Sequence, residues 1–210
     1  MVRHGLFVLG VALVAVSAGA WAAEEGTEAT RALPADTMAR LEAGELVVTK
    51  KGEKNAEGNT SGEGVVTGLI EAPADTVLDY LIRFETYPEF MPHVTALEST
   101  QDAEGVYHLA FTLKVVWKTV RYHVLQYRVG TERKFAWKLD TSKENDIRDT
   151  TGTWVLLEHG DKRTVVVYSL NTDTGMSVPK FIEDFLMNRD LGGVVRALKK
   201  RVESNGTYHK

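Results

Sequence analysis

Residues 64–92 read Gly-Val-Val-Thr-Gly-Leu-Ile-Glu-Ala-Pro-Ala-Asp-Thr-Val-Leu-Asp-Tyr-Leu-Ile-Arg-Phe-Glu-Thr-Tyr-Pro-Glu-Phe-Met-Pro, an order that leaves little choice of local structure. A strand pattern starts at Gly64 and is broken by Ala72-Pro73. Pro73 suits the first turn of a helix, where its missing N–H forfeits no hydrogen bond. Ala74, Val77, Leu78, Leu81 and Ile82 then recur at helical spacing and form one apolar face. Pro88 and Pro92 interrupt any regular helix over 86–92, so a short helical turn or loop is expected there, carrying Tyr87, Phe90 and Met91.

The chain beyond this point alternates. In residues 107–117 the odd positions are Tyr, Leu, Phe, Leu, Val and Trp, while His108, Thr112 and Lys114 fall between them. That is the period of a strand with one buried face. Phe135, Trp137 and Leu139 repeat it, as do Val166, Tyr168 and Leu170. Turn residues near 103–105, Lys118, 130–131, 142–146 and 159–161 divide the region into six strands. The C-terminal region offers Ser177 as a cap and Pro179 in a first turn. Phe181, Ile182, Phe185, Leu186, Leu191, Val194, Val195, Leu198 and Val202 follow, as one long amphipathic helix or two in tandem. The phase slips between Leu186 and Leu191, and Gly192-Gly193 follows, each glycine costing about 1 kcal/mol in a helix interior. A bend or loosened turn is expected there.

The N-terminal side divides differently. Arg3 and His4, an apolar run over 6–20 and Ala20-Trp21-Ala22 have the form of a signal peptide, with cleavage after Ala22 or after Ala20. The alternative is an uncleaved anchor or exposed helix. Residues 1–22 are therefore read as signal, and 23–61 as a leader with a short helix and strand. In that leader Asp36 caps a helix through Ala43 that Gly44 ends, 45–50 form a strand, and 52–62 form a polar loop. A domain over 62–203 and a tail over 204–210 complete the division. The protein is expected to be exported, periplasmic or secreted. It contains no cysteine, so no disulfide supports it and stability must come from core burial. The formal net charge of −4 argues against nucleic acid as a partner. Lys50-Lys51 and Lys199-Lys200-Arg201 read as solvated faces, with membrane-phosphate patches as the alternative.

Strand, helix, aromatic-proline loop, six strands and a terminal helix is a recognisable order. The residues 62–203 resemble the START-like superfamily, also called birch-pollen-allergen-like or SRPBCC. Within it they are similar to the branch of polyketide cyclase/dehydrase and coenzyme-Q-binding START domains. The resemblance rests on Ile70-Glu71-Ala72-Pro73-Ala74-Asp75-Thr76-Val77, Tyr87-Pro88-Glu89-Phe90-Met91-Pro92-His93-Val94, Thr151-Gly152-Thr153-Trp154, residues 164–168 and Val178-Pro179-Lys180-Phe181-Ile182. It implies an α+β helix-grip fold: a curved antiparallel sheet of about seven strands wrapped around a long C-terminal helix, with two short helices after the first strand. It also implies an apolar cavity that binds lipids, sterols, quinones or aromatic polyketides.

With the strand phases above, Phe111, Leu113, Val115, Tyr122, Phe135, Trp137, Trp154 and Tyr168 point inward and meet Phe181 and Phe185 from the helix. Together with Phe90 they are the candidate ligand-binding residues; the plainer reading is that each is ordinary core. No catalytic signature is present. The six histidines, at positions 4, 93, 108, 123, 159 and 209, lack metal-site spacing, and neither a metal nor a cofactor is expected. Among the polar residues Arg121, Tyr122, Arg148, Asp149, Thr150 and Thr151, a Tyr122–Arg148 pair is the one acid/base candidate. The sequence thus favours an exported binding or carrier protein for a hydrophobic small molecule, with transient membrane-surface contact left open. The alternatives are a cyclase/dehydrase enzyme and an envelope interaction module with a filled core.

Overall fold

The computed structural model describes residues 33–54, 60–115, 117–130, 133–173 and 191–210. The expected signal over 1–22, the segment 174–190 and the candidates Phe181 and Phe185 lie outside these. The chain forms α1 (Ala35–Glu42), β1 (Val47–Lys54), β2 (Thr60–Ile70) and α2 (Ala74–Leu81), then a 3-10 turn (Phe84–Thr86) and α3 (Tyr87–Phe90). β3 (Val94–Gln101), β4 (Tyr107–Val115), β5 (Lys118–Arg128), β6 (Lys134–Leu139), β7 (Asp149–Glu158) and β8 (Thr164–Asp173) follow, and α4 (Leu191–Glu203) ends the series. All strands join one antiparallel sheet in the order β1-β2-β8-β7-β6-β5-β4-β3. This is the helix-grip arrangement.

The sheet has eight strands where about seven were expected, because the leader strand is part of it. β1 runs past Lys50 to Lys54 and pairs with β2 down to Lys54↔Thr60, so 52–54 and 60–62 of the expected loop are paired strand. Backbone pairing builds them, and backbone pairing needs no apolar alternation. α1 covers the outer face, where Leu41, Leu69 and Val165 are buried together. Asp36 does not cap α1: Pro34 holds the N-cap position and Asp36 lies in the first turn, where its charge still suits the helix dipole. Gly44, at φ +83°, ends the helix as expected.

α2 buries Ala74, Val77 and Leu81, the face that the spacing marks. Pro88 falls in the first turn of α3, where a missing donor is harmless, so of the two forms expected for 86–92 the short helical turn is present. On the inner face of β2, a Cβ on Gly64 would stand 2.2 Å from Leu191 Cδ2, and one on Gly68 2.9 Å from Val195 Cγ1. α4 therefore packs at backbone distance on β2, with Val195 and Leu198 fully buried; each such side chain contributes about 1.5–3 kcal/mol. Gly192 and Gly193 lie in the first turn of α4.

Within the run 199–201 only Lys200 is exposed as a solvated face would be. Arg201 is 6% exposed, pairs with Glu89, donates to the Tyr208 carbonyl at 2.8 Å and lies over the Phe90 ring. Lys199 Nζ donates to the Leu69 carbonyl at 2.6 Å. Long cationic stems cover apolar surface while their heads reach partners, which composition alone does not reveal.

Candidate functional site

The inner face of the sheet, the loop after α2 and the start of α4 line a cavity of about 290 Å³. β4 places Phe111, Leu113 and Val115 on it, β5 Tyr122, β6 Trp137, β7 Trp154 and β8 Tyr168. Phe90 and Phe135 are buried but do not line it. Phe90 packs against Tyr87 and under Arg201, and Phe135 packs under Arg128.

Aromatic rings set the shape of the wall. Trp137 stacks on Tyr168 at 5.6 Å and 18°, Trp154 meets Tyr168 at 4.3 Å, and Phe111 stacks on Tyr122 at 5.1 Å and 9°. The register explains the first pair: Trp137 lies opposite Gly152, and Gly152 opposite Leu170, so the indole spreads over a residue without a side chain. A Cβ on Gly152 would fall 2.2 Å from Trp137 Cζ2. Leu170 and Thr172 continue the wall on β8, and Leu191 and Val194 on α4.

Several lining residues were not singled out by the sequence reading. Phe84, Tyr87 and Met91 come from the aromatic-proline loop, and Val120, Val124 and Gln126 share the β5 face with Tyr122. The β5 residues were accessible to the same alternation that identified Tyr122. Tyr87, whose hydroxyl donates to the Leu81 carbonyl at 2.6 Å, faces the cavity through a turn of α3 that spacing does not fix.

Polar groups gather mostly at one end. Lys118 opens β5, Glu63 and Lys50 come from β2 and β1, and His93 precedes β3, its ring nitrogen 3.1 Å from the Lys114 carbonyl oxygen. Thr150 and Thr172 hydrogen-bond to each other at 3.0 Å. Burial pushes the phenols of Tyr87 and Tyr122 well above the usual tyrosine range, so both remain protonated. Tyr122 and Arg148 are not brought together as lining groups: Arg148 reaches Asp173 at 3.4 Å and, like Arg121, Asp149 and Thr151, is not part of the cavity wall. Among the described residues no three His, Cys, Asp or Glu side chains form a metal-binding group. His108 pairs with Asp102 at 3.1 Å, and His123 faces Asn145. No described helix is long and apolar enough to cross a membrane.

The sequence profile of the family described as polyketide cyclase / dehydrase and lipid transport matches residues 70–199. No curated protein matches the chain. Among solved structures, a START superfamily protein from Mycobacterium smegmatis aligns with TM-score 0.58 and 17% identity, over 75% of this chain and 98% of that one. The Zhui aromatase/cyclase from Streptomyces sp. R1128 aligns with TM-score 0.57 and 14% identity, over 77% and 96%. A STAR-related lipid transfer protein from Xanthomonas axonopodis aligns with TM-score 0.54 and 19% identity, over 73% and 98%. At these identities the likeness is one of fold. With the family profile spanning more than half of the chain, the protein belongs to the polyketide cyclase/dehydrase and lipid transport family.

Proposed function

We propose that the protein is an exported carrier for a hydrophobic small molecule, such as a lipid, quinone or sterol, held between the sheet and the C-terminal helix. The observation that carries this reading is the cavity of about 290 Å³, walled by stacked aromatic and aliphatic side chains with its charged groups gathered at one end. Such a site gains affinity from apolar contact and orientation from a few polar groups. Export is supported by the apolar run over 6–20 behind Arg3 and by the small residues of Ala20-Trp21-Ala22. Trp117, 67% exposed beside the lining residue Lys118, suits brief contact with a membrane surface.

A cyclase would need an acid/base pair facing a bound polyketide. Tyr122 faces the cavity, but its phenol is held protonated by burial and Arg148 is engaged by Asp173. Native mass spectrometry of the protein purified from the cell envelope, followed by organic extraction, tests the carrier reading. A stoichiometric lipid, quinone or sterol is expected. An empty protein that also ignores added lipids would sink it.

A further inference from the structure

The inward face of β5 carries Lys118, Val120, Tyr122, Val124 and Gln126. Lys118 stands at the strand's outer end and lines the same cavity as Lys50 and Glu63. Gln126 stands near the opposite end, between Tyr107 of β4 and Trp137 of β6 in the register. It is 5% exposed, yet its Nε2 has no hydrogen-bond partner among the described residues. A buried donor without a partner costs the full desolvation of the group, whereas leucine or methionine would fill the same space at no such cost. Core packing therefore gives no reason for an amide here. An acceptor supplied by a ligand does.

We propose, resting on the carrier reading, that Gln126 is the polar anchor of the cavity. Its Nε2 donates a hydrogen bond to an uncharged acceptor oxygen, a ketone, ester or quinone carbonyl, at the leading end of an otherwise apolar ligand. Charge decides against a carboxylate. Among the described lining residues the cations are Lys118, at the far end of β5, and Lys50, on the edge strand β1 beyond β2, β8, β7 and β6. The nearest cation along β5, Arg128, is exposed, lies over the Phe135 ring and does not line the cavity. An anion at Gln126 would therefore have no buried counter-charge among the described lining residues, whereas a neutral carbonyl asks only for a donor. The ligand thus enters carbonyl first, and any charged group it bears stays beside Lys118 and Lys50.

The test compares two probes on the purified full chain: prodan, a naphthyl ketone dye, and its propyl analogue, in which a methylene replaces the carbonyl. Gln126→Leu should weaken prodan binding roughly three- to tenfold, the worth of one net hydrogen bond. Binding of the propyl analogue should stay within about twofold, since its apolar contacts are unchanged. The infrared stretch of an isotope-labelled prodan carbonyl should lie below its position in hexane when bound to the native chain, and return toward it in the variant. Equal losses for both probes, or an unshifted carbonyl band on the native chain, would overturn the assignment. Gln126→Met repeats the comparison with an unbranched side chain of similar length. Should neither variant fold, the band on the native chain still decides. A native chain that binds neither probe would instead remove the carrier reading, and this assignment with it.

Discussion

Replacing Gly152 with alanine challenges the packing that shapes the cavity wall. A methyl there would stand 2.2 Å and 2.4 Å from Trp137 Cζ2 and Cη2, and 2.3 Å from the Ser169 carbonyl oxygen. Carbon atoms rest about 3.5–4.0 Å apart, so the ring and the methyl must separate by more than about 1 Å. The Ser169 oxygen can move only by loosening β8 from β7, where Ser169 is the register partner of Thr153. Trp137 can move only by tilting off Tyr168 or into the cavity. Overpacking costs about 1–3 kcal/mol, and a backbone atom among the obstacles places this case at about 2–3 kcal/mol. For a domain of this size that is a fall in Tm of about 5–10 °C. Urea unfolding followed by tryptophan fluorescence measures it, with an unchanged m-value showing that stability alone has altered. Gly192→Ala is the control: the added methyl meets its nearest atoms at 3.8 Å, and alanine favours the helix, so the variant should be neutral or more stable by up to about 1 kcal/mol. A Gly152→Ala protein within about 0.5 kcal/mol of native stability, the scale of an ordinary surface change, and with unchanged prodan affinity would refute this account of the wall.

Three further outcomes follow from the contacts around the site. Glu89→Gln should destabilise by about 1–2 kcal/mol, less than a fully buried pair because Glu89 is itself half-exposed. Adding Arg201→Met should recover part of that loss; a double variant weaker than the sum of the singles in urea would contradict it. Asp140 is held below its ordinary value of 3.8, first by the hydroxyl of Ser142, which donates at 2.6 Å, and also by the Ser142 amide. A carboxyl lowered in the folded state stabilises fully above that value and loses its contribution as pH falls through the folded one. Ser142→Ala should therefore raise the Asp140 pKa, read by NMR, and shift acid unfolding to higher pH, with a stability loss that is constant at neutral pH and fades in strong acid. Lys210 Nζ donates to the carbonyls of Met91 and Val94 at 2.7 and 2.6 Å, clasping a segment that lines the cavity. Lys210→Ala should speed amide exchange in that segment severalfold; unchanged exchange would show that the clasp restrains nothing.

What the sequence disclosed followed from period and punctuation. The alternation of Tyr107, Leu109, Phe111, Leu113 and Val115 marks the inward face of β4 correctly, because period two has one physical meaning in a strand. Trp117, counted in the same alternation, lies past the strand's end and is exposed. The turn signals separate the six strands from β3 to β8 for the same local reason. Position along a strand is another matter. Phe135 shares the inward phase of Trp137, yet only Trp137 borders the cavity, since where the void ends depends on elements packed from elsewhere. Phe90 and Tyr87 sit on a helix of four residues, whose rotation is settled by contacts such as Arg201 over Phe90 rather than by spacing. The β1–β2 ladder is polar and glycine-rich where it was expected to be loop, and its pairing is a property of the backbone. Gln126 was visible only as a polar break in an apolar alternation, and burial gives that break its meaning.

The strand order also bears on how the chain reaches this state. From β3 to β8 each strand pairs with the next in sequence, so the meander assembles through short-range closures. β2 is different: it pairs with β8, Ser61 opposite Asp173 and Ile70 opposite Thr164, across the whole intervening meander. Closing so long a stretch of chain exacts its entropy before any contact is made, and topologies dominated by such pairings fold slowly. The β2–β8 seam should be the last to zip during refolding, with the meander waiting as a sheet whose β8 edge is briefly open. Until it closes, α4 has no Gly64 and Gly68 to rest on, so the cavity and the helix that bounds it come into being together, in one late step.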